Sequence, residues 1–146
     1  MKAVVQRVLS ARVTVDAEET GAVGPGLLVF LGVAPTDTAE VARALARRIV
    51  AARVFADAEG RMNLAIRDIG GAILAVSQFT LLGDTSQRRP YFGGAMAPGP
   101  AETLYGVFCD SVRSEGVGCA TGKFGAHMRV ESVNDGPVTL LYEETT

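Results

Sequence analysis

Apolar and polar residues alternate at the start of the chain. Ala3, Val5 and Arg7 interleave with Val4, Gln6 and Val8, and Val13 and Val15 follow. A period of two predicts a strand with one face turned inward. Asp16 to Gly21 is polar and ends in glycine, the composition of a hairpin connection. Gly24, Pro25 and Gly26 mark another turn, and Leu27 to Val33 is a short apolar run suited to a buried strand.

The period then changes. Over residues 38–54, Val41, Ala44, Leu45, Ile49 and Ala52 share one helical face, with Glu40, Arg43 and Arg47 elsewhere. Asp37 can cap this helix, with Glu40 three residues on in capping-box spacing. Phe55 to Leu64 reads as a loop with a turn at Glu59-Gly60, and Ile73 to Leu81 as a second apolar strand. Residues 82–99, rich in glycine, proline and polar side chains, predict a long loop, a kind of segment that often carries function. Pro100 opens a second helix with Leu104, Val107, Phe108 and Val112 inward and Gly116 at its end. Strands resume near 128–133 and 138–142. These elements predict one α+β domain over residues 1–146, mostly antiparallel sheet with two main helices.

Composition narrows the function. The net charge is −2, which argues against a broad grip on phosphates but allows a hold on one single-stranded nucleic-acid end. The basic residues are uneven: Arg88 and Arg89 adjoin, and Lys123 and Arg129 bracket a glycine-rich stretch. Arg7 and Arg12 interrupt the N-terminal apolar pattern, so it reads as a strand rather than a secretory leader, and a cytoplasmic location is expected. No apolar run suits a membrane span. Cys109 and Cys119 form no CxxC pair and read as two thiols in the core rather than a disulfide. No cluster suggests a metal site, and no cofactor motif is present: a Walker loop, a dinucleotide glycine pattern and HExxH are all absent.

Few residues are left to carry chemistry. A triad would need His127, the single histidine, with Ser77 and Asp84, and His127 reads more simply as an ordinary polar residue. Asp57 and Glu59 before Gly60 look like a solvated turn. Ser77-Gln78-Phe79-Thr80-Leu81, closing an apolar strand, offers a rim for a small-molecule site or a plain in-out alternation. Asn134-Asp135-Gly136-Pro137-Val138-Thr139 reads first as a turn between two strands. A cis bond at Pro137 would instead present two carbonyl oxygens to one side.

Taken together, SQFTL (77–81) and NDGPVT (134–139) resemble the D-aminoacyl-tRNA deacylase family. The opening QRV (6–8), GLLVFLGV (26–33), DAEGRMNL (57–64), RRPYF (88–92) and TGKFGAHM (121–128) extend the resemblance over essentially the whole chain. Arg61, Tyr91 and His127 depart from the usual family pattern, outside the two main motifs. The resemblance implies a barrel-like homodimer with active sites shared between subunits. It implies hydrolysis of the ester between a D-amino acid, or glycine, and the 3′ end of tRNA, with no DNA and no membrane partner. Ser77, Gln78, Phe79 and Thr80 would form the catalytic strand end. Gly136 and Pro137, cis and reaching across from the partner subunit, would exclude L-residues, and Arg7 would hold them in place. Gly122, Phe124 and Met128 would belong to the nucleotide pocket. Thr80 could act as nucleophile, or the terminal 2′-hydroxyl of the tRNA could activate water while amides near Phe79 and Thr80 bind the oxyanion. The alternatives are a non-catalytic nucleic-acid-binding module and a deacylase of relaxed chirality.

Overall fold

The computed structural model describes all residues from Met1 to Thr146. In chain order it contains β1 (Lys2–Val15), β2 (Glu18–Val23), β3 (Gly26–Gly32), α1 (Ala39–Ala51), β4 (Phe55–Ala56), β5 (Met62–Leu64), β6 (Ala72–Ser77), α2 (Pro98–Ser114), β7 (Gly118–Thr121) and β8 (Arg129–Glu143), with a 3-10 helix at Phe79–Leu82. The α+β reading with two main helices holds. No helix is long and apolar enough to cross a membrane.

One long strand organises the sheet. β1 pairs antiparallel with β3 through residues 2–8, with β2 through residues 11–15, and with β8 along almost its whole length. Asp16 and Ala17 make the tight connection to β2, both at positive φ (50° and 66°). That is the geometry of a two-residue hairpin whose twist matches its strands. The turn is thus shorter than the polar stretch suggested, and residues 18–21 belong to a strand.

Beyond β3 the pairing changes direction. β3 with β6, and β6 with β7, are parallel, so the sheet is mixed. It also curls until β2 meets β7: a Cβ on Gly21 would lie 2.3 Å from the Thr121 carbonyl oxygen, so only glycine permits the approach. The result is a nearly closed barrel.

Two cores follow from strand alternation. Ala3, Val5, Leu27, Val29, Leu31, Ile73 and Ala75 face α1 and α2 in the larger cluster. Val8, Ala11, Val13, Leu28, Leu74 and Val76 fill the inside of the curl. β3 and β6 are therefore covered on both faces, which is why they read as continuous apolar runs rather than alternating ones.

Some local expectations change. Thr38, not Asp37, caps α1, its hydroxyl accepting from Val41 N–H. Asp37 is buried instead, accepting from the Met1 amino group at 2.7 Å and from Ala34 N–H at 2.7 Å. An unpaired charge there would be costly, so the long-range partner outweighs the local cap. α1 ends at Ala51, and α2 starts at Pro98 rather than Pro100. Gly116, at φ +79°, follows the end of α2 as expected. Phe55–Leu64 is a small hairpin, β4 with β5, rather than a loop. Cys109 and Cys119 are free thiols.

The segment 134–137 is the clearest correction. It does not turn the chain: residues on both sides pair antiparallel with the same strand, β1. Where β1 advances from Gln6 to Ser10, β8 advances from Val133 to Thr139, so two extra residues bulge out of β8. A bulge bends a strand and re-aims its groups without ending it.

Candidate functional site

β6 is apolar through Val76 and then meets Ser77 and Gln78. The strand stops at Ser77, not Leu81, and residues 79–82 tighten into the 3-10 helix. This break opens the C-terminal ends of the parallel strands β3 and β6, where sheets of this kind leave a crevice. A cleft of about 560 Å³ lies there, a size suited to a small organic ligand. Leu31 and Val33 form its base, Ser77, Gln78 and Phe79 one bank, and Phe124 and Met128 another. The segment 92–97 and the first turns of α2 close it. The lining is mostly apolar and includes no carboxylate, lysine or arginine.

Phe79 is 59% exposed and meets Phe92 edge to face, with centroids 5.9 Å apart. The two rings form an apolar lip that a flat base could stack on. Deeper in, Tyr105 donates to the Ala75 carbonyl at 2.7 Å and packs beside Phe124. Burial pushes the Tyr105 hydroxyl well above its usual pKa, so it stays protonated and cannot serve as a base. Gln78 Nε2 donates to Thr80 Oγ1, which fixes the threonine hydroxyl beside the cleft. Thr80 itself does not line the cleft. The start of a helix leaves its leading N–H groups without intrahelical partners. Here no side chain, turn or loop carbonyl accepts from the N–H of Phe79 or of Thr80.

Sequence reasoning singled out Ser77, Gln78, Phe79, Phe124 and Met128, and the structure brings them together at one cleft. It missed Tyr105, Phe92 and Met96, which also line it. Tyr105 had a signal: it follows Ala101 by four residues and precedes Cys109 and Val112 on the inward face of α2. His127 lines the rim, while Asp84 is occupied with Ser86 N–H, so the three parts of a Ser-His-Asp relay do not assemble. Gly122 stays outside the lining; its missing Cβ makes room for the Met128 sulfur, which would stand 2.5 Å from an added carbon. Cys109 and Cys119 also lie outside it, and the neighbouring Cys109 thiol, then burial, pushes the Cys119 thiol up.

The second motif sits elsewhere. Gly136-Pro137 is cis and lies in the bulge of β8, beside Arg7 of β1. Arg7 pairs with Leu27, at the opening of β3, whereas the cleft begins at Leu31. Four strand residues correspond to roughly 13 Å, so within one chain the motif lies far from the cleft. The bulge is nonetheless firmly held. Arg7 donates to the carbonyls of Val54, Asp135 and Gly136 at 2.6, 3.2 and 3.4 Å, and Asn134 Nδ2 donates to the Arg7 and Val138 carbonyls. Around it β8 is an exposed edge bearing Val133, Leu140 and Leu141, the last 84% exposed.

Known proteins carry the same pattern. The family model described as D-Tyr-tRNA(Tyr) deacylase matches residues 4–143. The chain is 52% identical over 144 residues to a D-aminoacyl-tRNA deacylase of Deinococcus radiodurans, covering 98% of this chain and 99% of that one. It is 55% identical over 144 residues to a D-aminoacyl-tRNA deacylase of Anaeromyxobacter dehalogenans, covering 98% and 97%. A solved structure described as c-Myc DNA Unwinding Element Binding Protein superposes with a TM-score of 0.93 at 40% identity, each chain covered completely. A match of this length, spanning both the cleft and the held bulge, leaves one conclusion: the chain belongs to the D-Tyr-tRNA(Tyr) deacylase family.

Proposed function

We propose that this protein hydrolyses the ester linking a D-amino acid, or glycine, to the 3′ end of tRNA and leaves L-aminoacyl-tRNA intact. The observation that carries the reading is the cleft beside Ser77–Phe79: apolar, sized for a small organic ligand, and placed at the start of the 3-10 helix that begins at Phe79. The family membership and the names of the relatives agree with it.

The chemistry asks little of side chains. An aminoacyl ester is already activated, so a positioned water and a stabilised oxyanion suffice. The amides of Phe79 and Thr80 would receive the oxyanion. The Thr80 hydroxyl accepts from Gln78, and among its hydrogen-bond partners there is no base to activate it as a nucleophile. The neighbouring 2′-hydroxyl of the terminal ribose would help activate the water, with no cofactor required.

Selectivity needs the second motif at the cleft, and one chain keeps the two apart. A second copy of the chain would supply it. The exposed apolar residues Val133, Leu140 and Leu141 on the β8 edge around Gly136-Pro137 support such a partner. In the homodimer, the Gly136-Pro137 segment of one subunit would face the substrate in the cleft of the other. Its backbone would crowd the position an L-side chain must take and leave room for a D-side chain or none. Discrimination would then rest on rejection, and the identity of the side chain would not be read.

Deacylation of D-Tyr-tRNA, L-Tyr-tRNA and Gly-tRNA in the presence of chelator tests this. Loss of the D-ester and glycyl ester alone is expected. Loss of all three would overturn the chirality filter. Loss of none would favour a nucleic-acid-binding module on this scaffold, the class to which the name of the 40%-identical structure refers.

A further inference from the structure

Arg88 and Arg89 have no role in the cleft, yet they are tied to it. Six other arginines are paired with carboxylates: Arg7, Arg12, Arg43, Arg48, Arg67 and Arg113. Arg88 and Arg89 are exposed and, like Arg47, Arg61 and Arg129, have no carboxylate partner; what sets them apart is that they adjoin each other beside the cleft. Two adjacent unpaired cations repel one another, and in a chain of net charge −2 there is no shortage of carboxylates to pair with them.

The segment that carries them is held at its base. Asp84 N–H donates to the Tyr91 carbonyl at 2.8 Å, and Tyr91 N–H to the Asp84 carbonyl at 3.0 Å. Asp84 Oδ1 accepts from Ser86 N–H, which folds the first residues of the tip. Both ends of this small hairpin meet the cleft. On one side Gly83 joins it to the 3-10 helix that begins at Phe79. On the other, Phe92 follows Tyr91 directly, lines the cleft and packs on Phe79. Arg89 stands three residues before Phe92, so its Cα lies within about 11 Å of the Phe92 Cα.

We propose that Arg88 and Arg89 form a phosphate clamp for the RNA strand that enters the cleft. A terminal nucleoside seated between Phe79, Phe92 and Phe124 must leave through the lip, carrying its phosphodiester chain past the hairpin tip. Guanidinium groups suit that partner because their planar fork matches phosphate oxygens. The clamp rests on the reading of the cleft as the site for the tRNA 3′ end. It adds that the grip on the polynucleotide is local, two phosphates or so, and separate from the grip on the aminoacyl-adenosine.

The test compares Arg88→Ala/Arg89→Ala with the wild type on two substrates, D-Tyr-tRNA and the short ester D-tyrosyl-adenosine, over a range of salt. Arg47→Ala, an exposed unpaired charge on α1, controls for net charge. The clamp requires KM for D-Tyr-tRNA to rise about tenfold or more at low salt. The slope of log KM against log salt should fall by roughly 1.4, the release expected from two phosphate contacts on a single strand. Arg88→Lys/Arg89→Lys should recover most of that slope, and Arg47→Ala should change nothing. Cleavage of D-tyrosyl-adenosine, which has no phosphodiester to hold, should match the wild type. Equal loss on both substrates would overturn the clamp and make the tip a structural part of the cleft. An unchanged slope would overturn it as well. Binding of uncharged tRNA, measured in parallel by anisotropy, reads the same slope whether or not any ester is cleaved, so failure of the hydrolase reading and failure of the clamp are seen separately.

Discussion

Arg7 Nη2 donates to the Gly136 carbonyl across 129 residues of sequence, while Nη1 of the same guanidinium donates to the Val54 carbonyl at 2.6 Å. One side chain therefore fixes the bulge of β8 to the strand beneath it and to the segment after α1. Its Nε also sits 3.1 Å from Asp135 Oδ2, with only 12% of the side chain exposed. The bulge carries two residues more than its partner strand, so its backbone cannot be satisfied by the ladder alone.

Replacing Arg7 by methionine keeps the apolar stem and removes all of these donors. The expected cost is about 1–3 kcal/mol, from partly buried carbonyls losing charged hydrogen bonds. Arg7→Lys should recover only part, because an ammonium cannot span three acceptors in one plane. Thermal unfolding gives the stability, and D-Tyr-tRNA against L-Tyr-tRNA hydrolysis gives the selectivity. A destabilised variant with wild-type selectivity would show that the arginine supports the fold and nothing more.

Thr80 separates the two chemical routes. Its hydroxyl already accepts from Gln78, so a reaction driven by water and the neighbouring ribose hydroxyl should tolerate its loss. Thr80→Ala and Thr80→Val are expected to lower kcat by ~10-fold or less. A fall of ~10⁴-fold with KM unchanged would instead make the threonine oxygen the nucleophile. Single-turnover kinetics with preformed D-Tyr-tRNA distinguishes these outcomes.

Gly136 offers a clean probe of the filter. A Cβ there would meet only Asn134 Oδ1, at 3.9 Å, so the chain itself has room for alanine. Gly136→Ala should therefore unfold within ~0.5 kcal/mol of the wild type. Any substrate crowded against that position would feel the added methyl. The expected result is weaker binding of D-Tyr-tRNA, or a changed ratio of D-ester to glycyl-ester cleavage, at unchanged melting temperature. Equal kinetics on both esters would place Gly136 away from the substrate.

Local pattern was enough for much of this molecule. The alternation in residues 3–8 and the inward placement of Val41, Leu45 and Ile49 on α1 and of Phe108 and Val112 on α2 are set by periods of two and 3.6, which depend on neighbours in sequence alone, although the buried faces also take in Ala42, Ala46 and Val50, and Ala101, Tyr105 and Cys109, while Ala44, Ala52, Leu104 and Val107 stay half-buried. Ser77, Gln78 and Phe79 stood out for the same reason, as polar and aromatic residues at the end of an apolar run. Other features depended on distant partners. Asp37 gave up its capping role because a positive charge 36 residues away needed it in a buried place. The parallel pairing of β3 with β6 follows from α1 crossing between them, which no period records. Asn134 to Pro137 has the composition of a turn, yet the chain continues as one strand, because β1 offers an edge to pair with on both sides of the bulge. Local sequence determined where most strands and both helices run and which residue types meet at the cleft. Tertiary structure decided which backbone groups are left unpaired and where Gly136 lies, since both depend on register between strands more than a hundred residues apart.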